Sequence, residues 1–207
     1  MTADNESADT DRAEARRRQV LEAASTCFRQ HGFHATSIAR ISQVAGMSPG
    51  HIYHYFQNKE AIVAGIVEQN LSEFVELAQQ LDKANETGSF VDALMAQIDA
   101  GVGKQTDGTR ASLNLEILAE AARNPEVASA LQRSDDVQFA RCRHLFRQAP
   151  SMERLPPDEL NARITVINSL FDGLMVRTQC QSTIDKARIS RVIQRVVGFL
   201  LDEENPD

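Results

Sequence analysis

The sequence predicts an all-α fold in which a small N-terminal domain, built on a helix-turn-helix, precedes a larger helical domain. Apolar residues recur at helical spacing along most of the chain, and no segment of useful length alternates as a strand would. Only 6 Pro and 10 Gly interrupt the 207 residues, and residue types with high helix propensity are abundant. With 42% hydrophobic residues, the chain can bury the core of one large or two modest domains.

The N-terminal end predicts a polar tail followed by a first helix. Residues 1–11 are polar and acidic, and we expect them to be disordered because they offer almost nothing to bury. The first helix opens on an arginine cluster and ends near Gly32, a residue type that suits the position after a helix. Phe33 then falls where it can contact Phe28 across that helix end.

Two short helices joined by a tight turn follow, over about residues 37–56. Thr36 is of a type that caps helix starts, and the apolar stripe of the first short helix ends at Gly46, where a left-handed residue is wanted. Ser48 can cap the second helix, and Pro49 suits its first position. Helix, short Gly-containing turn and second helix make up the helix-turn-helix pattern.

The outer surface of the second short helix carries hydrogen-bond donors. His51, Tyr53, His54 and Tyr55 are expected on this outer face, where they can donate to phosphate oxygens or base edges. Gly50 would let the backbone approach DNA closely. The alternative is an ordinary helical hairpin in an all-α core, with the same rings as half-buried packing residues.

The whole string from Thr36 to Glu60 closely resembles the DNA-binding signature of the TetR family of transcriptional regulators. In that family an Ala-Gly-Val-Ser turn is followed by Gly, a Tyr-x-x-Phe recognition helix and a terminal Lys-Glu. The departures here are Met47 for the usual Val and Pro49 at a variable position. The similarity extends over about residues 16–66.

This resemblance implies a DNA-binding domain over residues 12–60. Bases are expected to be read by the segment 49–54, and phosphates to be held by Thr36, Tyr53, Tyr55 and Lys59. The predicted DNA-contacting residues are Thr36, Ser48, Pro49, Gly50, His51, Tyr53, His54, Tyr55 and Lys59.

The charge distribution supports this assignment although the chain carries a net charge of −7. Residues 12–60 hold seven Lys and Arg against three Asp and Glu, whereas residues 61–207 hold fifteen against twenty-two. The basic section of the chain is therefore the one that contains the helix-turn-helix, and an acidic remainder would confine DNA to one face.

Residues 61–207 are predicted to form a helical effector-binding and dimerisation domain. A long helix begins near Lys59, further helices follow, and the last two carry the widest apolar stripes. TetR-like proteins pair through their final two long helices and usually enclose a small effector in the C-terminal domain. The resemblance thus implies a homodimer and a small-molecule effector, whose identity and pocket residues stay unknown.

Other classes of function find little support in the sequence. No Gly-rich phosphate loop, His-Glu-x-x-His or nucleophile elbow occurs, so we predict no enzyme and no catalytic residue. The three cysteines have neither metal nor redox spacing, and we predict no metal and no cofactor. Without a signal peptide or an apolar run of 18 residues, the chain is expected to be cytoplasmic and without a membrane partner.

The sequence therefore predicts a homodimeric transcriptional regulator, foremost a repressor released from an inverted-repeat operator in double-stranded DNA by a small molecule. An activator of the same family would bind the same kind of DNA. The alternative from another class is an all-α small-molecule-binding or scaffold protein whose helix-turn-helix is vestigial.

Overall fold

The structure, a computed structural model, describes the backbone of residues 3–201 and the side chains of residues 10–84 and 88–201. Over these residues it contains α-helices and no strand, as the all-α prediction requires. None of the described helices is both long and apolar enough to cross a membrane. In chain order the helices are α1 (Ala3–Ala35), α2 (Ile38–Ala45), α3 (Pro49–Tyr55), α4 (Lys59–Thr87), α5 (Phe90–Gln105), α6 (Gly108–Ala121), α7 (Pro125–Phe146), α8 (Pro150–Glu153), α9 (Pro157–Cys180) and α10 (Lys186–Leu200).

The chain forms two compact units whose limits differ from the predicted boundary between residues 60 and 61. The first unit takes the end of α6 and the start of α7 because their apolar side chains, among them Ile117 and Val127, are buried in its core. The first unit comprises residues 1–70 and 113–132, and the second comprises residues 71–112 and 133–207.

The first helix begins earlier than the sequence predicts. Residues 3–11, expected to be disordered, are helical, and residues 1–2 of the predicted tail lie outside the described residues. Extending an existing helix costs far less than nucleating one, so a polar segment can continue a helix whose later turns are buried. Acidic residues also suit a helix N-terminus because they complement the helix dipole.

The helical path of α1 breaks at Gly32, as predicted, but in a different way. Gly32 has φ +77° and ψ 164°, a conformation that side-chain-bearing residues rarely adopt. The expected contact between Phe28 and Phe33 is confirmed, with ring centroids 5.4 Å apart. The Phe33 N–H donates to a side chain of α6, Glu116 Oε1, at 2.7 Å.

The helix-turn-helix forms as the sequence predicts, apart from its first cap. The Ser37 hydroxyl, and not that of Thr36, accepts the Arg40 N–H at the start of α2. Gly46 ends α2 in the left-handed conformation with φ +63°. Ser48 then caps α3, and Pro49 occupies its first turn.

One apolar core holds the first unit together. It joins the inner face of α1 to the buried positions of α2, α3 and the start of α4. Its large buried members include Val20, Phe28, Phe33, Ile41, Ile52, Phe56, Ile62 and Ile117. Each of the two short helices therefore contributes an isoleucine that is fully buried.

The second unit has its own core, built mainly by α5, α7, α9 and α10. Phe90 of α5 packs edge-on against Phe146 of α7, with ring centroids 5.9 Å apart. Ile164 of α9 and Val197 of α10 are buried in the same cluster. At the edge of this unit Glu73 pairs with Lys104 at 2.6 Å and with Arg110 at 3.1 Å.

These two cations change the acidity of Glu73. Burial alone would raise the pKa of the carboxyl, but the hydrogen bond from Lys104 and the charges of Arg110 and Lys104 outweigh burial and hold the pKa below its ordinary value of 4.5. The carboxylate is therefore more stable in the folded chain than in the unfolded one.

We predict that Glu73→Gln lowers the free energy of unfolding at neutral pH and has little effect in acid. A folded pKa below the unfolded one adds stability that is fully present above the unfolded value and is lost as pH falls through the folded value. Urea unfolding of both proteins at about pH 7 and about pH 3.5 measures the difference. A destabilisation of equal size at both pH values would contradict this ionic account.

Candidate nucleic-acid interface

The segment that contains α2 and α3 is free of carboxylates. No Asp or Glu occurs between Thr36 and Lys59, in a chain that has 29 acidic residues. The same segment contains Arg40 and two histidines. Its exposed surface can therefore approach a polyanion without carboxylate repulsion from its own side chains.

The outer face of α3 presents three of the four predicted donors. His51, Tyr53 and His54 are exposed, and Tyr53 keeps 55% of its surface accessible. Tyr55 is half-buried, and its ring lies 5.6 Å from His51 and 5.0 Å from His54 between centroids. These ring contacts restrict the orientations of three polar side chains on one short helix.

The start of α3 is open. Ser48, Pro49 and Gly50 are all exposed, and a Cβ placed on Gly50 would meet no atom within 4 Å. The Ser48 hydroxyl accepts the His51 N–H at 3.2 Å, so its oxygen is already engaged in the cap. A close partner at this point would meet backbone and the proline ring.

The helix cap predicted for Thr36 is wrong, and the structure argues against its predicted phosphate contact. Thr36 is only 1% exposed. Its hydroxyl donates toward the carbonyl oxygens of Gly32 at 2.8 Å and Cys27 at 3.2 Å, at the end of α1. With Ser37 in the exposed capping position, the hydroxyl of Thr36 instead links the residue before α2 to the end of α1.

Lys59 has an internal partner that the sequence did not reveal. Its Nζ donates to the carbonyl oxygen of Phe33 at 2.8 Å and lies 4.3 Å from the centroid of the Phe33 ring. An ammonium group has three donors, so this hydrogen bond leaves others for a phosphate. Lys59 thus holds the first unit together whether or not it also contacts DNA.

The structure exposes further side chains on α2 that the sequence analysis did not assign. Arg40, Gln43 and Val44 are exposed, Val44 by 54%. The stripe that buries Ile41 and Ala45 already placed these residues outside, but the predicted contacts included no residue of α2. Arg40 is the one charged residue of α2 and is positive.

The structure gives no support for a metal at this surface. Among the residues that it describes, no three His, Cys, Asp or Glu side chains are grouped so that they could hold an ion. His51 and His54 therefore remain a pair of exposed imidazoles on α3.

Comparison with known proteins assigns both parts of the chain. Residues 20–66 match the family described as bacterial regulatory proteins, tetR family, and residues 90–202 match the family described as BetI-type transcriptional repressor, C-terminal. The HTH-type transcriptional regulator UidR of Escherichia coli is 28% identical over 195 residues, which cover 91% of this chain and 94% of UidR.

Two solved structures share the fold. Salmonella enterica GusR superimposes with a TM-score of 0.71 at 24% identity, covering 90% of this chain and 95% of GusR. FadR from Bacillus subtilis, solved in complex with stearoyl-CoA, superimposes with a TM-score of 0.70 at 16% identity, covering 90% of this chain and 98% of FadR.

Three findings agree with the resemblance found in the sequence. They are the geometry of the helix-turn-helix, the TetR match over residues 20–66, and the BetI-type match over more than half of the chain. The chain belongs to the TetR family of bacterial transcriptional regulators.

Proposed function

We propose that this regulator is a cytoplasmic homodimer that represses transcription by occupying an inverted-repeat operator, and that a small molecule releases it. Operator binding is supported by the surface of α2 and α3, which has hydrogen-bond donors and no carboxylates in an otherwise acidic chain. DNA binding depends on favourable contact with phosphates, so a surface of this kind is the part of the chain suited to it.

On this surface the segment 49–54 reads bases in the major groove. Tyr53 and the histidines supply donors at base edges, and Pro49 and Gly50 allow a close approach. Tyr55, Lys59 and the exposed Arg40 hold phosphates on either side. Thr36 leaves the set because it is buried.

The last two helices support the proposed dimer. On α9 two exposed valines and a glycine lie on one face of the helix, at the spacing found in coiled coils. A Cβ placed on this glycine would meet no atom within 4 Å, so another helix could approach closely there. On α10 three exposed apolar side chains recur at i, i+4 and i+7. These residues are Val166, Gly173 and Val176 on α9, and Val192, Val196 and Phe199 on α10.

We expect a second copy of the chain to pack against the exposed apolar residues of α9 and α10. Pairing of two identical surfaces gives a closed two-fold dimer, which would hide the apolar side chains of both copies at once. Such a dimer presents two recognition helices to successive major grooves, and this geometry requires an inverted repeat.

Release by an effector follows from the same arrangement. A molecule that binds one dimer shape better than another shifts the population toward it, and DNA affinity falls when the two recognition helices no longer match their grooves. The stearoyl-CoA bound to the FadR neighbour supports release by a small molecule, and the BetI-type repressor match supports repression.

We predict that His54→Ala weakens binding to the operator by about tenfold and relaxes the preference at the base pairs it reads, because one good base contact is worth about 1–3 kcal/mol. His144→Ala is the matched control, since His144 is also exposed but lies on α7 in the second unit. Fluorescence anisotropy with the operator and with single-base variants measures both effects. Equal affinity of the two variants would contradict the assignment of α3.

We predict that Thr36→Val lowers stability alone, whereas Lys59→Gln lowers both stability and DNA binding, because Lys59 also donates to the Phe33 carbonyl. Loss of the Thr36 hydroxyl should lower the free energy of unfolding by about 1 kcal/mol with DNA affinity unchanged in the folded protein. Lys59→Gln should weaken binding to all duplexes and reduce the slope of log affinity against log salt by about 1. A reduced salt slope in Thr36→Val would return Thr36 to the phosphate-contacting set.

We predict that Val192→Glu converts the dimer to monomers and removes most of the operator affinity. A carboxylate on the apolar stripe would have to be buried against its own copy across the two-fold axis. Val137→Glu is the control, because Val137 on α7 is similarly exposed, 48% against 45%. Sedimentation equilibrium reports the native mass, and a dimeric Val192→Glu protein would place the interface elsewhere.

A further inference from the structure

In the first unit, the exit of the chain from α1 is held by a residue that is distant in sequence. Gly32 breaks the helical path of α1, and the N–H of the next residue, Phe33, has a partner on another helix. It donates to Glu116 Oε1 at 2.7 Å, across a separation of 83 residues. At 2.7 Å this is at the short end of the range for an N–H···O hydrogen bond.

The same short stretch of backbone is held from its other side. The carbonyl oxygen of Phe33 accepts from Lys59 Nζ at 2.8 Å, while the Phe33 ring is buried beside Phe28. The backbone N–H and C=O of Phe33 are thus both hydrogen-bonded to charged side chains, Glu116 of α6 and Lys59 of α4. The residue is fixed in position and orientation where α1 ends.

A second carboxylate on α6 reinforces this arrangement. Glu120 is 2% exposed, and its Oε2 lies 3.1 Å from Nε2 of His34, the residue after Phe33. Asn124 Nδ2 lies 3.1 Å from Glu120 Oε1 and 3.4 Å from Glu60 Oε1, at the start of α4. The segment from Glu116 to Asn124 therefore contacts the chain on both sides of the helix-turn-helix.

We propose that Glu116 is a positioning residue for DNA recognition: by accepting the Phe33 N–H, it sets the direction in which α2 and α3 leave α1. Glu116 itself touches no DNA. This inference rests on the proposed function of the α2 and α3 surface. The chain between Phe33 and the first residue of α2 is short, so a change in the Phe33 peptide is passed to the cap at Ser37 within a few bonds.

Loss of this hydrogen bond should lower the affinity for the operator, because a smaller fraction of molecules would hold α3 in the arrangement that fits the groove. A looser exit from α1 allows arrangements in which α3 does not fit the groove, and the apparent dissociation constant rises as the competent fraction falls. Contacts with the phosphates of a random duplex are less sensitive to such changes, because they need charge and not register.

Two substitutions separate the reach of the side chain from its charge. Glu116→Gln keeps an oxygen at the same distance and loses the charge, and it should stay within about threefold of the natural protein in operator affinity. Glu116→Asp keeps the charge but is one methylene shorter, and it should lose about tenfold. Glu126→Asp is the control, since Glu126 is exposed at the start of α7.

The measurements are the affinity for the inverted repeat enriched from genomic fragments, the affinity for a random-sequence duplex, and hydrogen exchange at the Phe33 amide. We expect Glu116→Asp to lose operator affinity and Phe33 protection while its affinity for the random duplex is unchanged. In Glu116→Gln, operator affinity and Phe33 protection should both stay near those of the natural protein. A general loss of stability would lower both quantities in either variant.

The opposite order, with Asp close to the natural protein and Gln weak, would overturn the inference, because charge and not the held amide would then matter. So would full operator affinity in both variants. Failure of the natural protein to bind any inverted repeat would instead overturn the proposed function, so the two failures are distinguishable.

Discussion

The exit of the chain from α1 is the constraint on which the DNA-reading unit depends. Gly32 permits a backbone turn that other residues resist, Phe33 anchors its ring in the core, and Glu116 and Lys59 engage the N–H and C=O of Phe33. The helices that follow are only 8 and 7 residues long, too short to persist alone. Their geometry is therefore inherited from the turn that precedes them and from the buried isoleucines that each contributes.

The two units divide the chemistry of the chain between them. The first shows an exposed surface of donors without carboxylates over α2 and α3. The second is acidic, with carboxylates such as Glu73 engaged by neighbouring cations, and carries exposed apolar stripes on its last two helices. The limits of the two units in the sequence fall within α4, α6 and α7.

Local signals in the sequence predicted the helix-turn-helix well. Gly46 and Ser48 end and start helices through their own conformations and side chains, and such short-range effects can be read from neighbouring residues. Thr36 and Lys59 could not be assigned in the same way. Their partners, the end of α1 and the Phe33 carbonyl, are brought near by tertiary packing, and Glu116 reaches Phe33 across 83 residues. The helical start of α1 was missed because composition describes an isolated segment, whereas this one extends a helix already formed.

The most direct test of the central claim, that the α2 and α3 surface reads an operator, is selection of bound duplexes from fragmented genomic DNA. The natural protein and a Tyr53→Ala/His54→Ala variant, both shown to be folded dimers, would be compared in parallel. We expect the natural protein alone to enrich an inverted repeat, placed where a bound dimer would block a promoter. No enrichment by either protein, or the same enrichment by both, would contradict the claim.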